Sequence, residues 1–137
     1  MLERQNKLAL AKSAYDPNVI VLQIKPFPDK PYMGYELLQT LLSVGLRFGE
    51  MNIFHYRDGE DGEGNVLFSI ATATSDGSFP IDDMGAFESV GLVAFVRMNP
   101  KQKLMPRFYL MLDVARQLIE ELGGEIYDDL QQPINAT

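Results

Sequence analysis

The chain contains no cysteine. Disulfides, thiolate metal sites and cysteine nucleophiles are therefore excluded, and the composition is compatible with a reducing compartment. Tryptophan is also absent, and His55 is the one histidine in 137 residues. A lone histidine without cysteine leaves only carboxylates as further metal ligands, a poor set for a zinc-type site. Positive charge is scarce: 12 Lys and Arg against 19 Asp and Glu give a formal net charge of −7. Phosphate backbones and anionic lipids are held by basic surfaces. Contact of this domain with nucleic acid or membrane is not expected. The one local basic cluster is Lys101, Lys103 and Arg107. No apolar run approaches the roughly 20 residues of a membrane span, and Glu3, Arg4, Gln5, Asn6 and Lys7 interrupt the place where a signal peptide would be apolar. Apolar residues nevertheless make up 46% of the chain, too many for a disordered polymer, and the length fits one domain with a real core.

What is present is sidedness. Four runs read as strands: Val19–Ile24, Met51–Tyr56, Val66–Ala73 and Leu92–Met98. Side chains alternate faces along a strand. One parity collects Ile20, Leu22, Ile24, Phe54, Tyr56, Val66, Phe68, Ile70, Leu92, Ala94, Val96 and Met98, which predicts the core side. The other collects Val19, Val21, Gln23, Met51, Ile53, His55, Leu67, Ser69, Ala71, Ala73, Val93, Phe95 and Arg97, an apolar centre with polar margins. Asn52 is the exception, a polar residue with core parity. Two strong helices suffice to cover one face, so an apolar centre on the other predicts a binding surface. The competing reading is that residues 2–15 or 79–90 cover it.

Residues 1–17 form a leader, flexible or helical: Leu8, Ala9, Leu10 and Ala11 favour helix, and Asp16-Pro17-Asn18 ends it. The domain proper is expected over 18–130, with a flexible tail over 131–137. After the first strand, Pro26, Pro28 and Pro31 force an irregular connection. A helix follows over about Tyr32–Val44, with Leu37, Leu38, Leu41 and Leu42 at helical spacing and Gly45 as its C-terminal stop. The second strand is expected over Phe48–Arg57. A polar turn at 58–65 links it to the third. The last helix is expected over Leu104–Leu122, where Leu104, Phe108, Met111, Ala115, Leu118 and Leu122 share a face, Pro106 lies in the first turn and Gly123-Gly124 stops it. A short strand, Glu125–Tyr127, returns to the sheet. The order predicts an α+β fold of split β-α-β type, a mostly antiparallel sheet with helices on one face and an open peptide-binding face.

Chemistry is hard to place on this chain. Catalysis by His55 would need a nucleophile and an orienting carboxylate, and no Gly-x-Ser-x-Gly elbow exists. A polar residue at a strand edge is the reading taken. Asp58, Glu60, Asp61 and Glu63 lack the EF-hand spacing and read as a solvated hairpin tip. Gly59, Gly62 and Gly64 lie among carboxylates that repel phosphate. Asp82-Asp83 and Asp128-Asp129 read as solvated turns. No catalytic residue, metal or cofactor is expected. Met51 is different, because methionine suits adaptable binding surfaces and its parity places it beside Ile53 on the open face.

The runs 46–55 (Leu-Arg-Phe-Gly-Glu-Met-Asn-Ile-Phe-His) and 67–71 (Leu-Phe-Ser-Ile-Ala), then Leu110-Met111-Leu112, Glu121-Leu122-Gly123-Gly124 and Asp128-Asp129, carry a resemblance. In order and spacing, over about residues 19–130, the chain resembles the C-terminal domain of the ZipA family of bacterial cell-division proteins. The resemblance implies a non-catalytic adaptor whose shallow apolar groove receives the C-terminal tail of FtsZ, tethering FtsZ filaments of the Z-ring at the cytoplasmic face of the inner membrane. An N-terminal anchor and a long linker belong to the family's full-length proteins. The family's groove positions fall on Val19, Val21, Met51, Ile53, Ala71, Ala73 and Phe95, all of one parity. Ala73 stands where the best-known member has a larger methionine and Ser75 where it has lysine, which implies a wider, less basic groove. The family's final helix is short or absent after Pro133. A monomer in isolation is expected. A homodimer pairing through the same open face is the alternative.

Overall fold

The computed structural model describes residues 18–59 and 64–134. The expected leader, the tip of the acidic turn and any helix at the end of the chain lie outside these residues. A six-stranded antiparallel sheet runs in the order β3-β4-β5-β7-β1-β8. Its strands are β1 (Val19–Lys25), β3 (Arg47–Phe48), β4 (Phe54–Arg57), β5 (Val66–Thr72), β7 (Leu92–Arg97) and β8 (Glu125–Asp128). A second, two-stranded sheet pairs β2 (Tyr32–Met33) with β6 (Glu88–Ser89). The helices are α1 (Gly34–Ser43) and α2 (Leu104–Leu122). Class and layering are those read from the sequence.

Register shows how the alternation works. Leu22 pairs with Ala94, Ala94 with Ile70 and Ile70 with Phe54, so one apolar row crosses four strands. Leu37 and Leu41 of α1 and Met111, Val114, Ala115 and Leu118 of α2 pack on that side in a single core. Edge-to-face aromatic contacts extend it, with Phe54 5.5 Å from Phe48 and 5.0 Å from Phe79 between ring centroids. Such pairs add stability beyond the area they bury. Met98 departs from the core parity: it lies one residue past β7 and is 44% exposed.

The structure corrects the expected second strand. Residues 47–57 form a tight hairpin, not one strand. Arg47 pairs with His55 and Phe48 with Phe54, and the N–H of Gly49 donates to the carbonyl of Ile53 at 3.0 Å. Glu50–Asn52 is a single 3-10 turn, with Met51 at φ 61° and Asn52 at φ 58°. Asparagine tolerates this left-handed conformation. The turn also resolves the parity of Asn52, since strand alternation does not cross it.

The first helix starts two residues later than expected. Tyr32 and Met33 are strand, and the Tyr32 hydroxyl donates to the carbonyl of Gly123 at 2.7 Å. Gly34 then opens α1 where the chain runs against 84–87: its N–H donates to the Phe87 carbonyl at 2.8 Å. In the stretch read as a tail, residues 131–134 turn back along β8, and the N–H of Ile134 donates to the carbonyl of Ile126 at 2.8 Å.

Candidate functional site

The face opposite α1 and α2 is built from two rows. In one, Val21 pairs with Phe95, Phe95 with Ser69, Ser69 with His55 and His55 with Arg47. In the next, Gln23 pairs with Val93 and Val93 with Ala71. Val19 lies at one end, paired with Arg97. Ala73 lies at the other, where its N–H donates to the Gly91 carbonyl at 2.9 Å.

Of the seven expected site residues, Val19, Val21, Ala71 and Phe95 are strand residues of this side, Ala73 follows β5, and Met51 and Ile53 belong to the turn before β4. Val19 and Val21, with Val93, form a small apolar cluster separate from the main core, and the partly exposed Phe95 packs against it. Val93 was legible from parity, although the family's groove positions do not include it. Ala71 and Ile53 are buried and Ala73 is partly exposed. Met51 is not on a strand: it projects from the 3-10 turn and is 71% exposed. The face is thus a closed valine floor with Phe95 upon it and Met51 at the margin.

His55 holds that margin in place. It is buried, not a solvated edge residue. Its Nε2 lies 2.8 Å from the Glu50 carbonyl and its Nδ1 2.7 Å from the Ser69 hydroxyl. A carbonyl only accepts, so Nε2–H donates to Glu50, and in the neutral ring Nδ1 then accepts from the Ser69 hydroxyl. The ring ties the turn bearing Met51 to β5. Gln23 is the polar residue among the valines. It is buried, and its Oε1 has no hydrogen-bond partner.

At the Val19 end the central strands separate. Pairing between β5 and β7 ends at Ser69–Phe95. Arg107 of α2 enters the gap: its Nε donates to the Leu67 carbonyl at 3.1 Å and its Nη2 to the Arg97 carbonyl. One guanidinium thus replaces ladder bonds that the strands no longer make. Burial pushes its pKa below the usual range, because desolvation disfavours the charged form. Burial likewise pushes the Tyr32 hydroxyl up to about 12. In the turn after Ala73, hydrogen bonds from the Ser78 N–H and hydroxyl hold the Asp76 carboxyl low.

Among the described residues, no group of three or more His, Asp or Glu is placed to hold a metal ion, and no helix is long and apolar enough to cross a membrane. The arrangement offers apolar contact and hydrogen bonding.

Residues 18–137 match the family described as ZipA, C-terminal FtsZ-binding domain. Among the relatives, the cell division protein ZipA of Ectopseudomonas mendocina is 37% identical over 126 residues, covering 92% of this chain and 46% of that protein. The ZipA protein of Pseudomonas fluorescens is 39% identical over 105 residues, covering 77% and 37%. That of Colwellia psychrerythraea is 36% identical over 118 residues, covering 86% and 31%. The chain thus spans less than half the length of each of these relatives.

Proposed function

The chain belongs to the family of ZipA C-terminal FtsZ-binding domains, and on that premise we propose that its sheet face opposite the helices binds the C-terminal tail of FtsZ. The observation that carries this is the second apolar cluster. Val19, Val21 and Val93 form a floor apart from the core, with Phe95 partly exposed upon it, and Met51, on the turn between β3 and β4, is 71% exposed. Main-core packing does not account for these side chains.

Recognition is by packing of the tail's apolar side chains into a groove. Phe95 and Met51 make first contact. The shielded valines are reached only as neighbouring side chains give way. Removing roughly 400 Å² of apolar surface from water supplies about 10 kcal/mol gross. Ordering the tail and losing its translational freedom offset much of this, which places the affinity near micromolar. A filament presenting many tails to many adaptors raises the effective affinity by multivalency. The domain acts as a non-catalytic monomer and needs no metal or cofactor. In a full-length protein it would tether FtsZ filaments to the cytoplasmic face of the inner membrane at the division site.

Calorimetric titration of an FtsZ C-terminal peptide into the chain tests the reading. Saturable one-to-one binding is expected, weakened by about 1–3 kcal/mol in Phe95→Ala and less in Met51→Ala, with both variants folded. Normal binding by folded Phe95→Ala would place the groove elsewhere.

A further inference from the structure

Residues 89–112 carry Arg97, Lys101, Lys103 and Arg107 and no Asp or Glu. This segment bears +4 in a chain of net charge −7, which leaves −11 on the remaining residues. Its four basic residues all fall from the end of β7 to the first turn of α2, at the end of the sheet where β5 and β7 part. A cavity of about 390 Å³ opens there, lined by Leu67, Ser69, Phe95, Arg97, Gln102 and Arg107 among others. Phe95 belongs both to this cavity and to the valine cluster, so the two are continuous.

Two further observations point to a ligand. Arg107 is 6% exposed, and while Nε and Nη2 hold the strand carbonyls, its Nη1 is buried without any hydrogen-bond partner. A buried charged donor left unpaired is costly. Beside it begins the 19-residue α2, whose N-cap, Lys103, makes no side-chain capping bond and whose first turn holds no acidic residue. The free N–H groups of a helix N-terminus attract negative charge. A guanidinium with one nitrogen to spare, in the first turn of a helix that has no side-chain cap and close to Lys103, which lines an adjoining cavity with it, suits one carboxylate.

We propose that this sheet end is a carboxylate subsite: an acidic side chain of the peptide docked on the Phe95 face enters the gap between β5 and β7 and pairs with Arg107 Nη1 and the N-terminus of α2. The bound peptide is then anchored at two chemically distinct points, apolar at Phe95 and ionic at Arg107. A local shift of cavity-lining side chains lets the carboxylate reach Nη1. The peptide source of the carboxylate rests on the FtsZ-tail reading; the anion chemistry does not.

The test has two arms, both on the full chain. In the first, acetate and inorganic phosphate are titrated into isotopically labelled protein, and amide and Arg107 Nε–H shifts are followed by nuclear magnetic resonance. Saturable shifts confined to Gln102–Arg107 are expected, and they weaken in Lys103→Gln. Shifts that are absent, or spread evenly over basic residues, overturn the subsite whatever FtsZ does. In the second, an FtsZ C-terminal peptide is compared with versions in which Asp and Glu are changed to Asn and Gln. One amidated position is expected to weaken binding about tenfold to the wild-type chain and much less to Arg107→Gln. Arg107→Gln removes strand contacts, so Lys103→Gln serves as the comparison if that variant fails to fold. Anion shifts combined with no effect of amidation would make the site one for free anions and overturn the peptide assignment. No binding of any FtsZ peptide would remove the FtsZ reading while the first arm still decides the subsite.

Discussion

At the scale of single residues, buried polar groups divide by whether their bonds are met. His55 is met at both ring nitrogens, by the Glu50 carbonyl and the Ser69 hydroxyl. Replacing it by alanine strands an acceptor and a donor and frees the Met51 turn. His55→Ala is expected to lose about 1–3 kcal/mol of stability and to weaken peptide binding a few-fold; chemical denaturation and calorimetry measure the two. Unchanged stability would show that the ring does not clamp the turn. Tyr32 behaves differently because its shift concerns its own ionisation. Its hydroxyl, bonded to the Gly123 carbonyl, is held up to about 12, against about 10 in an unfolded chain. Below pH 10 both states keep the proton and the group adds no pH slope. Between about 10 and 12 the unfolded chain sheds it while the folded chain retains it, so stability falls as pH rises through that window. Melting temperatures from pH 8 to 11 are expected to drop less steeply for Tyr32→Phe than for wild type over the upper part of the range. Equal slopes would locate the alkaline sensitivity in other groups.

At the scale of elements, glycine and short turns decide where segments meet. A β-carbon on Gly34 would lie 1.8 Å from the Met84 carbonyl oxygen and 2.9 Å from that of Phe87. Both obstacles are backbone, so neither steps aside as a side-chain tip would. Gly34→Ala is expected to cost on the order of 3 kcal/mol, a fall in melting temperature of roughly 10 °C, read by calorimetry. An unchanged melting temperature would mean that 84–87 is not held against α1. Elements of this size were also where the sequence was least legible. The four-strand row of Leu22, Ala94, Ile70 and Phe54 follows from simple alternation, and α2 from its repeated apolar face. The hairpin at 47–57 did not, because β-favouring residues flank Gly49 and Asn52 on both sides and hid the turn that these two residues signal. Two-residue strands such as Tyr32–Met33 carry no period at all. For the candidate site, parity assigned Val19, Val21, Ala71 and Phe95 to the sheet face opposite the helices, and the strand register agrees. Parity could not distinguish buried Ile53 from projecting Met51, since strand alternation has no meaning across a 3-10 turn. Nor could it show that Arg107, a helix residue, reaches into the sheet.

At the scale of the whole molecule, charge is distributed against the average. The chain is acidic, yet the basic stretch 89–112 contributes β7 to the proposed binding face and then the start of α2. From apolar groove residues alone, binding would be nearly independent of salt. With Arg97, Lys101, Lys103 and Arg107 at one end, an acidic segment of a partner is drawn to that end while the rest of the surface repels it. Such a field acts on encounter more than on the packed complex. The association rate of an FtsZ C-terminal peptide, measured by stopped flow, is therefore expected to fall a few-fold as salt rises from about 20 to 200 mM, because screening shortens from roughly 20 Å to under 10 Å. The dissociation rate, governed by the packing on Phe95, is expected to change less than twofold. Lys101→Gln with Lys103→Gln removes exposed charge without touching the core, and it is expected to flatten the salt dependence of association. If salt instead accelerates dissociation and leaves association unchanged, the basic end is engaged only after docking and does not guide the approach.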